Sequence, residues 1–124
     1  MPTGIRIRIG NVSLEGQLAD TPAAAEIARR LPIEAAPREW GDEFYFEIPV
    51  DLPSDETATT AVDVGDIGYW PPGRALAIFF GPTPMSSGNR PVPASAVNVV
   101  GRVTGDAALL RQAKGADRIR LERA

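Results

Sequence analysis

The chain has no cysteine and no histidine among its 124 residues. The first absence removes disulfides, thiolate metal sites and thiol nucleophiles. The second removes imidazole ligands, Ser-His-Asp and Cys-His relays, and the side chain that ordinarily exchanges protons near neutrality. Lysine is nearly missing as well, since Lys114 is the single exception among 13 basic residues. Such an arginine skew, in an alanine-rich chain, follows genomic base composition as readily as recognition chemistry. The formal net charge is -3, with 16 acidic residues and no run of like charge. Nucleic acid and anionic membranes draw their affinity from a clustered basic face, so neither is expected as a partner. No apolar stretch is long enough to span a bilayer, and Met1-Pro2-Thr3-Gly4 leads straight into alternating Ile and Arg without the apolar region of a signal peptide. The expected location is the cytoplasm. No motif asks for a metal or a cofactor, and catalysis would have to rest on carboxylates, arginine, Lys114, hydroxyls, backbone amides or a group the sequence does not reveal.

Hydrophobic residues make up 44% of the chain and charged residues 23%, the mixture of an ordinary globular protein, and the length suits one domain over residues 1–124. Residues 4–9 alternate Ile5, Ile7 and Ile9 with Arg6 and Arg8, the period of two of a half-buried strand. Gly10-Asn11 tolerates positive φ, and Val12, Leu14 and Leu18 resume the alternation, so a hairpin is expected. Asp20-Thr21-Pro22 supplies a cap followed by proline at the first helical position, and Ala23, Ala24, Ile27, Ala28 and Leu31 then share one helical face.

Further strands are expected over 33–39, weakened by Pro37, and over 43–48, 62–70, 75–80, 96–103 and 118–122, with a short helix over 106–113. Pro71-Pro72-Gly73 fits a type II turn with glycine at its second central position. Residues 51–60 read as a loop, and residues 81–93, with four prolines, as a long stiffened loop that is either a binding edge or a passive connector. About eight strands joined by tight turns, without regular helical crossovers, argue for a mostly antiparallel closed barrel with two short helices.

Three segments together resemble a small bacterial and archaeal family of uncharacterised cyclophilin-like proteins: Trp40-Gly41-Asp42-Glu43-Phe44-Tyr45-Phe46, Val64-Gly65-Asp66-Ile67-Gly68-Tyr69-Trp70-Pro71-Pro72-Gly73, and Ala77-Ile78-Phe79-Phe80-Gly81-Pro82-Thr83. Val97-Asn98-Val99-Val100-Gly101 fits the same pattern. The resemblance implies a cyclophilin-like eight-stranded barrel with capping helices. It implies no activity: the Phe-His-Arg signature, the Gln-Gly-Gly-Asp-Phe stretch and every histidine of the prolyl isomerases are missing.

All eight aromatic residues lie between Trp40 and Phe80. Phe44, Phe46 and Phe79 are expected in the core, while Trp40, Tyr45, Tyr69, Trp70 and Phe80 sit at strand ends or on opposite faces, where rings often line pockets. Asp42 and Glu43 are adjacent carboxylates at a strand entrance, able to act as acid and base or to hold an amine or a hard cation; Asp42 and Asp66, each beside a glycine, equally suit accepting backbone hydrogen bonds in their turns, the reading favoured for Asp66. Arg74 follows the double-proline turn, placed to hold a carboxylate or a peptide carbonyl. The expected ligand site is therefore Trp40, Tyr69, Trp70 and Phe80 as walls, with Asp42, Glu43 and Arg74 as orienting groups. The expected function is binding of a small molecule or a proline-containing peptide. A prolyl isomerase using Arg74 or Arg90, and a subunit of a larger complex, are the alternatives.

Overall fold

A computed structural model of the chain describes residues 2–124. Strand β1 (Thr3–Ile9) buries Ile5, Ile7 and Ile9 and turns through Gly10, at φ +56°, into β2 (Val12–Leu18), with Ile9 opposite Val12. Helix α1 (Pro22–Arg29) starts as its sequence dictates: Pro22 opens it, and the Thr21 hydroxyl accepts the Ala24 N–H at 3.2 Å. Its face of Ala23, Ala24, Ile27 and Ala28 packs on β2 and on the strand Val97–Val103.

The remaining strands are β3 (Ile33–Ala35), β4 (Arg38–Glu39), β5 (Glu43–Glu47), β6 (Ala58–Thr59), β7 (Asp66–Trp70), β8 (Ala75–Phe79), β9 (Val97–Val103) and β10 (Ile119–Arg123). All pairings are antiparallel, in the order β3-β10-β1-β2-β9-β7-β8-β5-β4, with β6 added to β9. The strand number exceeds the expected eight because Pro37 divides the segment 33–39 into two strands and because Ala58–Thr59 pairs within an otherwise irregular loop.

The sheet is a curled half-barrel, open rather than closed, which corrects the expected closed eight-stranded barrel. Its edges β3 and β4 are consecutive in the chain but pair with β10 and β5 instead of with each other. Between them lies Ala36-Pro37, a pair that cannot form a tight hairpin, because proline at the second central position forces the preceding residue out of the helical region. The chain thus carries the sheet from one edge to the other without ladder hydrogen bonds.

Two further expectations change in detail. The segment 106–113 is a 3-10 helix, Ala107–Ala113, capped by the Asp106 carboxylate, which accepts the Ala108 N–H at 3.1 Å. Pro71–Gly73 is a single 3-10 turn rather than a type II turn, and its left-handed residue is Arg74, at φ 49°. Two consecutive prolines hold φ in the 3-10 range, which moves the reversal one residue along the chain.

The inner face of the half-barrel carries the main core, including Ile5, Ile7, Phe44, Phe46, Ile67, Leu76 and Ile78. The outer face differs from one side of the sheet to the other. Over β1, β2, β3 and β10 it is charged and self-paired, through Arg6–Glu15 at 3.1 Å, Arg120–Glu34 at 2.7 Å and Arg120–Glu122 at 2.7 Å. Over β5, β7, β8 and β9 it carries an apolar cluster: Val62, Ala77, Phe79 and Val97, with Tyr45 and Trp70 packed against it. Phe79 therefore lies in this outer cluster and not in the main core where it was expected. Among the described residues no helix is long and apolar enough to cross a membrane.

Candidate functional site

Strand alternation sets the site. In β5, Phe44 and Phe46 point into the core, so Glu43, Tyr45 and Glu47 fall on the outer face, opposite Phe79, Ala77 and Ala75 of β8. In β7 the same parity places Trp70 outward opposite Ala75, while Tyr69 points in. Gly68 leaves room for β9: a Cβ there would lie 2.6 Å from a Val97 methyl, so Val97 packs onto bare backbone. The result is a cleft of about 150 Å³ walled by Trp40, Tyr45, Trp70, Pro93, Ala94 and Val97, with Glu43 among them. A second hollow of about 380 Å³ adjoins it, shares Tyr45 and Trp70, and extends past Gly73 towards Ala36 and Arg38 at the open seam of the sheet.

The walls are held from behind. The Trp70 indole N–H donates to the Ser95 hydroxyl at 2.7 Å. Trp40 enters a turn in which its N–H donates to the Glu43 carbonyl at 3.0 Å and Gly41 takes φ +61°. That turn presses on the following loop so closely that a Cβ on Gly41 would lie 2.8 Å from the Thr83 Cα. The loop 81–93 is pinned: Thr83 donates to the Val92 carbonyl, Ser86 to the Arg90 carbonyl, and the Arg90 guanidinium to the Val62 carbonyl at 3.0 Å while pairing with Asp63 at 3.2 Å. Thr83, Ser86 and Arg90 are engaged within this framework, and the loop's contribution to the cleft is the wall at Pro93.

Glu43 is the unusual group. It is 7% exposed, and its Oε1 has no hydrogen-bond partner among the described residues. Burial without a partner pushes its carboxyl up to about 7. A lone acid in an apolar, ring-walled cleft is a strong acceptor when ionised and a donor when protonated.

Of the other residues expected at the site, Trp40 and Trp70 line this cleft together with Glu43. Tyr69 does not: it is fully buried, and its hydroxyl donates to the Val50 carbonyl at 2.7 Å and accepts the Leu52 N–H at 3.0 Å. Phe80 is buried in the core with its ring centroid 4.8 Å from that of Phe44. Asp42 faces the 3-10 helix, pairing with Arg111 at 2.9 Å and Lys114 at 2.8 Å. Its burial acts to raise its pKa, but the hydrogen bonds and charges of Lys114 and Arg111 outweigh this and lower it. Arg74 is exposed and lines neither hollow, but it pairs at 3.1 Å with Glu47, which lines the second one. Asp66 accepts the Asp63 N–H at 2.9 Å in its turn, as its place beside Gly65 suggested.

Tyr45 belongs to the cleft on the parity it shares with Glu43, a signal readable from the sequence. Pro93, Ala94 and Val97 carry no comparable signal, being some fifty residues away along the chain. Among the described residues, no group of three or more carboxylates is placed to hold a metal ion.

The cyclophilin-like family model matches residues 3–122. The chain belongs to the cyclophilin-like family. This cyclophilin-like chain is also similar to a hypothetical protein of Archaeoglobus fulgidus whose solution structure is known, with 36% identity and a TM-score of 0.82, over 99% of this chain and 95% of that one. No functionally curated protein matches the sequence.

Proposed function

We propose that this cyclophilin-like protein is a binding module for a small molecule, seated in the outer-face cleft between Trp40 and Trp70. The observation that carries this reading is Glu43, an acid that lines a cleft with apolar walls and has one carboxylate oxygen buried without a hydrogen-bond partner among the described residues. An unpaired buried acceptor destabilises a fold by about 1–3 kcal/mol, more if charged, and a ligand donor would recover part of that. The volume suits a group of about six heavy atoms, the scale of a benzene-sized guest. That scale fits a ring or branched alkyl group, with the adjoining hollow open to anything attached to it.

The prolyl isomerase alternative needs a guanidinium over the proline amide. Arg74 and Arg90 are each paired elsewhere and neither lines the cleft. A coupled proline-peptide assay is therefore expected to show the uncatalysed rate.

A thermal-shift screen of small metabolites tests the binding reading. Hits should raise Tm, since a ligand at 100 times its Kd adds about 2.7 kcal/mol to stability. Trp70→Ala should abolish the shift. A broad screen with no hit sensitive to Trp70→Ala would remove the reading.

A further inference from the structure

We propose that the occupant of the cleft is a small organic ammonium ion, a protonated primary or secondary amine on a ring or branched alkyl group, whose N–H donates to the Glu43 carboxylate while its carbons lie against Trp40 and Trp70. This inference rests on the binding reading above and names its ligand class.

Three features of the cleft select that class. The first is polarity: the unpartnered atom is a carboxylate oxygen, so when ionised it accepts and never donates. Neither a carboxylate, a fully ionised phosphate ester nor the tertiary amide of an internal prolyl residue offers it a proton. The second is the surroundings. No cation lines the cleft itself: Arg38 lines only the adjoining hollow, Arg111 and Lys114 pair with Asp42, and Arg74 pairs with Glu47. Among the described residues none of these cations is ion-paired with Glu43. The third is the walls. Two indoles and the Tyr45 phenol present aromatic surface beside that charge, and ring faces attract cations through their quadrupole, most strongly for tryptophan. Aromatic walls alone would suit any apolar guest, and a carboxylate alone any cation. Their combination in a cleft sized for about six heavy atoms suits a compact organic cation. A bare metal ion is disfavoured by the same geometry, since one carboxylate among apolar walls supplies too few oxygens.

The test uses one ring in two forms. Pyrrolidine, protonated near neutral pH, brings N–H donors and a charge; N-acetylpyrrolidine keeps the ring but has no N–H and no charge, as in an internal proline. Each is titrated at pH 8 into the full chain, followed by the indole N–H signals of Trp40 and Trp70 in heteronuclear NMR spectra. Pyrrolidinium is expected to move both signals with a Kd at least tenfold lower than that of N-acetylpyrrolidine, roughly the scale of one charge-assisted hydrogen bond. Glu43→Gln should erase the difference. Should that variant lose its dispersed spectrum, the unaltered chain at pH 5 serves instead, since protonating Glu43 should shrink the preference. N-acetylpyrrolidine binding as tightly as pyrrolidinium would overturn the ammonium assignment and leave the binding reading standing. Indole signals unmoved by either compound would also overturn the assignment, and the thermal-shift screen would then decide the binding reading by itself.

Discussion

The Trp70 indole rests against Gly73: a Cβ added to that glycine would sit 2.7 Å from Cζ3 and 2.8 Å from Cε3 of the ring. Gly73 is thus required for space, since its φ is ordinary and the left-handed position falls on Arg74. The glycine seats the ring that separates the two hollows.

Gly73→Ala is accordingly expected to displace the Trp70 ring while leaving the backbone conformation accessible. Forcing a methyl into a filled contact typically destabilises by about 1–3 kcal/mol. Part of that strain should be relieved by the ring swinging towards solvent, at the expense of its hydrogen bond to Ser95. The measurement is paired: a lower Tm and a shifted Trp70 indole N–H signal. An unshifted signal with unchanged Tm would show that the ring does not rest on Gly73.

Tyr69→Phe should separate the fold from the site. The phenol ties down residues 50–52 through a bond to the Val50 carbonyl and one from the Leu52 N–H, both beneath the sheet. Its loss orphans two backbone groups, and destabilisation of about 1–3 kcal/mol is expected by chemical denaturation. Ligand affinity at the cleft should stay within twofold, because Tyr69 points to the opposite face from Trp70. A larger loss of affinity than of stability would place Tyr69 in recognition after all.

How much of this was legible in the sequence depends on the range of the interaction. The Ile5-Ile7-Ile9 alternation, the Thr21-Pro22 helix start and the Gly10 turn are local, and each forms where its residues indicate. The open seam was legible only in part, because Pro37 announces a break in a strand without saying that the halves will serve opposite edges of one sheet. The site divides in the same way. Trp40, Glu43 and Trp70 could be singled out as rings and an acid near strand ends. Tyr69 and Trp70 are neighbours whose roles are split by strand parity, and Phe80 joins the core by the parity of Leu76 and Ile78. Asp42 was ambiguous because its partners, Arg111 and Lys114, lie some seventy residues away.

Asp42→Asn should weaken the tie between the entrance of β5 and the 3-10 helix without touching the cleft. Asp42 is 14% exposed on its side chain, but Arg111 and Lys114 are largely solvated, so about 1 kcal/mol is the expected loss at pH 7. The sign follows from linkage. A carboxyl with a lowered folded-state pKa stabilises the fold above its ordinary value of 3.8, and that contribution is lost as pH falls through the folded value. The difference between the native chain and Asp42→Asn in urea denaturation should therefore shrink at strongly acidic pH. A constant difference from pH 7 to pH 2 would exclude the ion pairs as its source.

Glu43 has the opposite linkage, and this makes it separable from Asp42. Its folded-state pKa is raised from 4.5 to about 7 by burial, so between those values the native state holds a proton that the unfolded chain has released. Stability attached to Glu43 is fully present below about pH 4.5, declines as pH rises, and is lost once pH passes the folded value near 7. A shift of that size corresponds to a decline on the order of 3 kcal/mol. Glu43→Gln, which cannot ionise, should remove this slope and be more stable than the native chain at pH 8.5, with the advantage vanishing or reversing at pH 4. A bound ammonium ion acts against the slope, because its charge favours the ionised acid. Pyrrolidinium should therefore stabilise the native chain more at pH 8 than at pH 5 and should release protons from the protein on binding, detectable as a buffer-dependent heat in calorimetry. If native and Glu43→Gln chains kept parallel stability curves from pH 4 to 8.5, the carboxyl would be ionised without penalty, and the cleft would hold no unpaired charge for a ligand to meet.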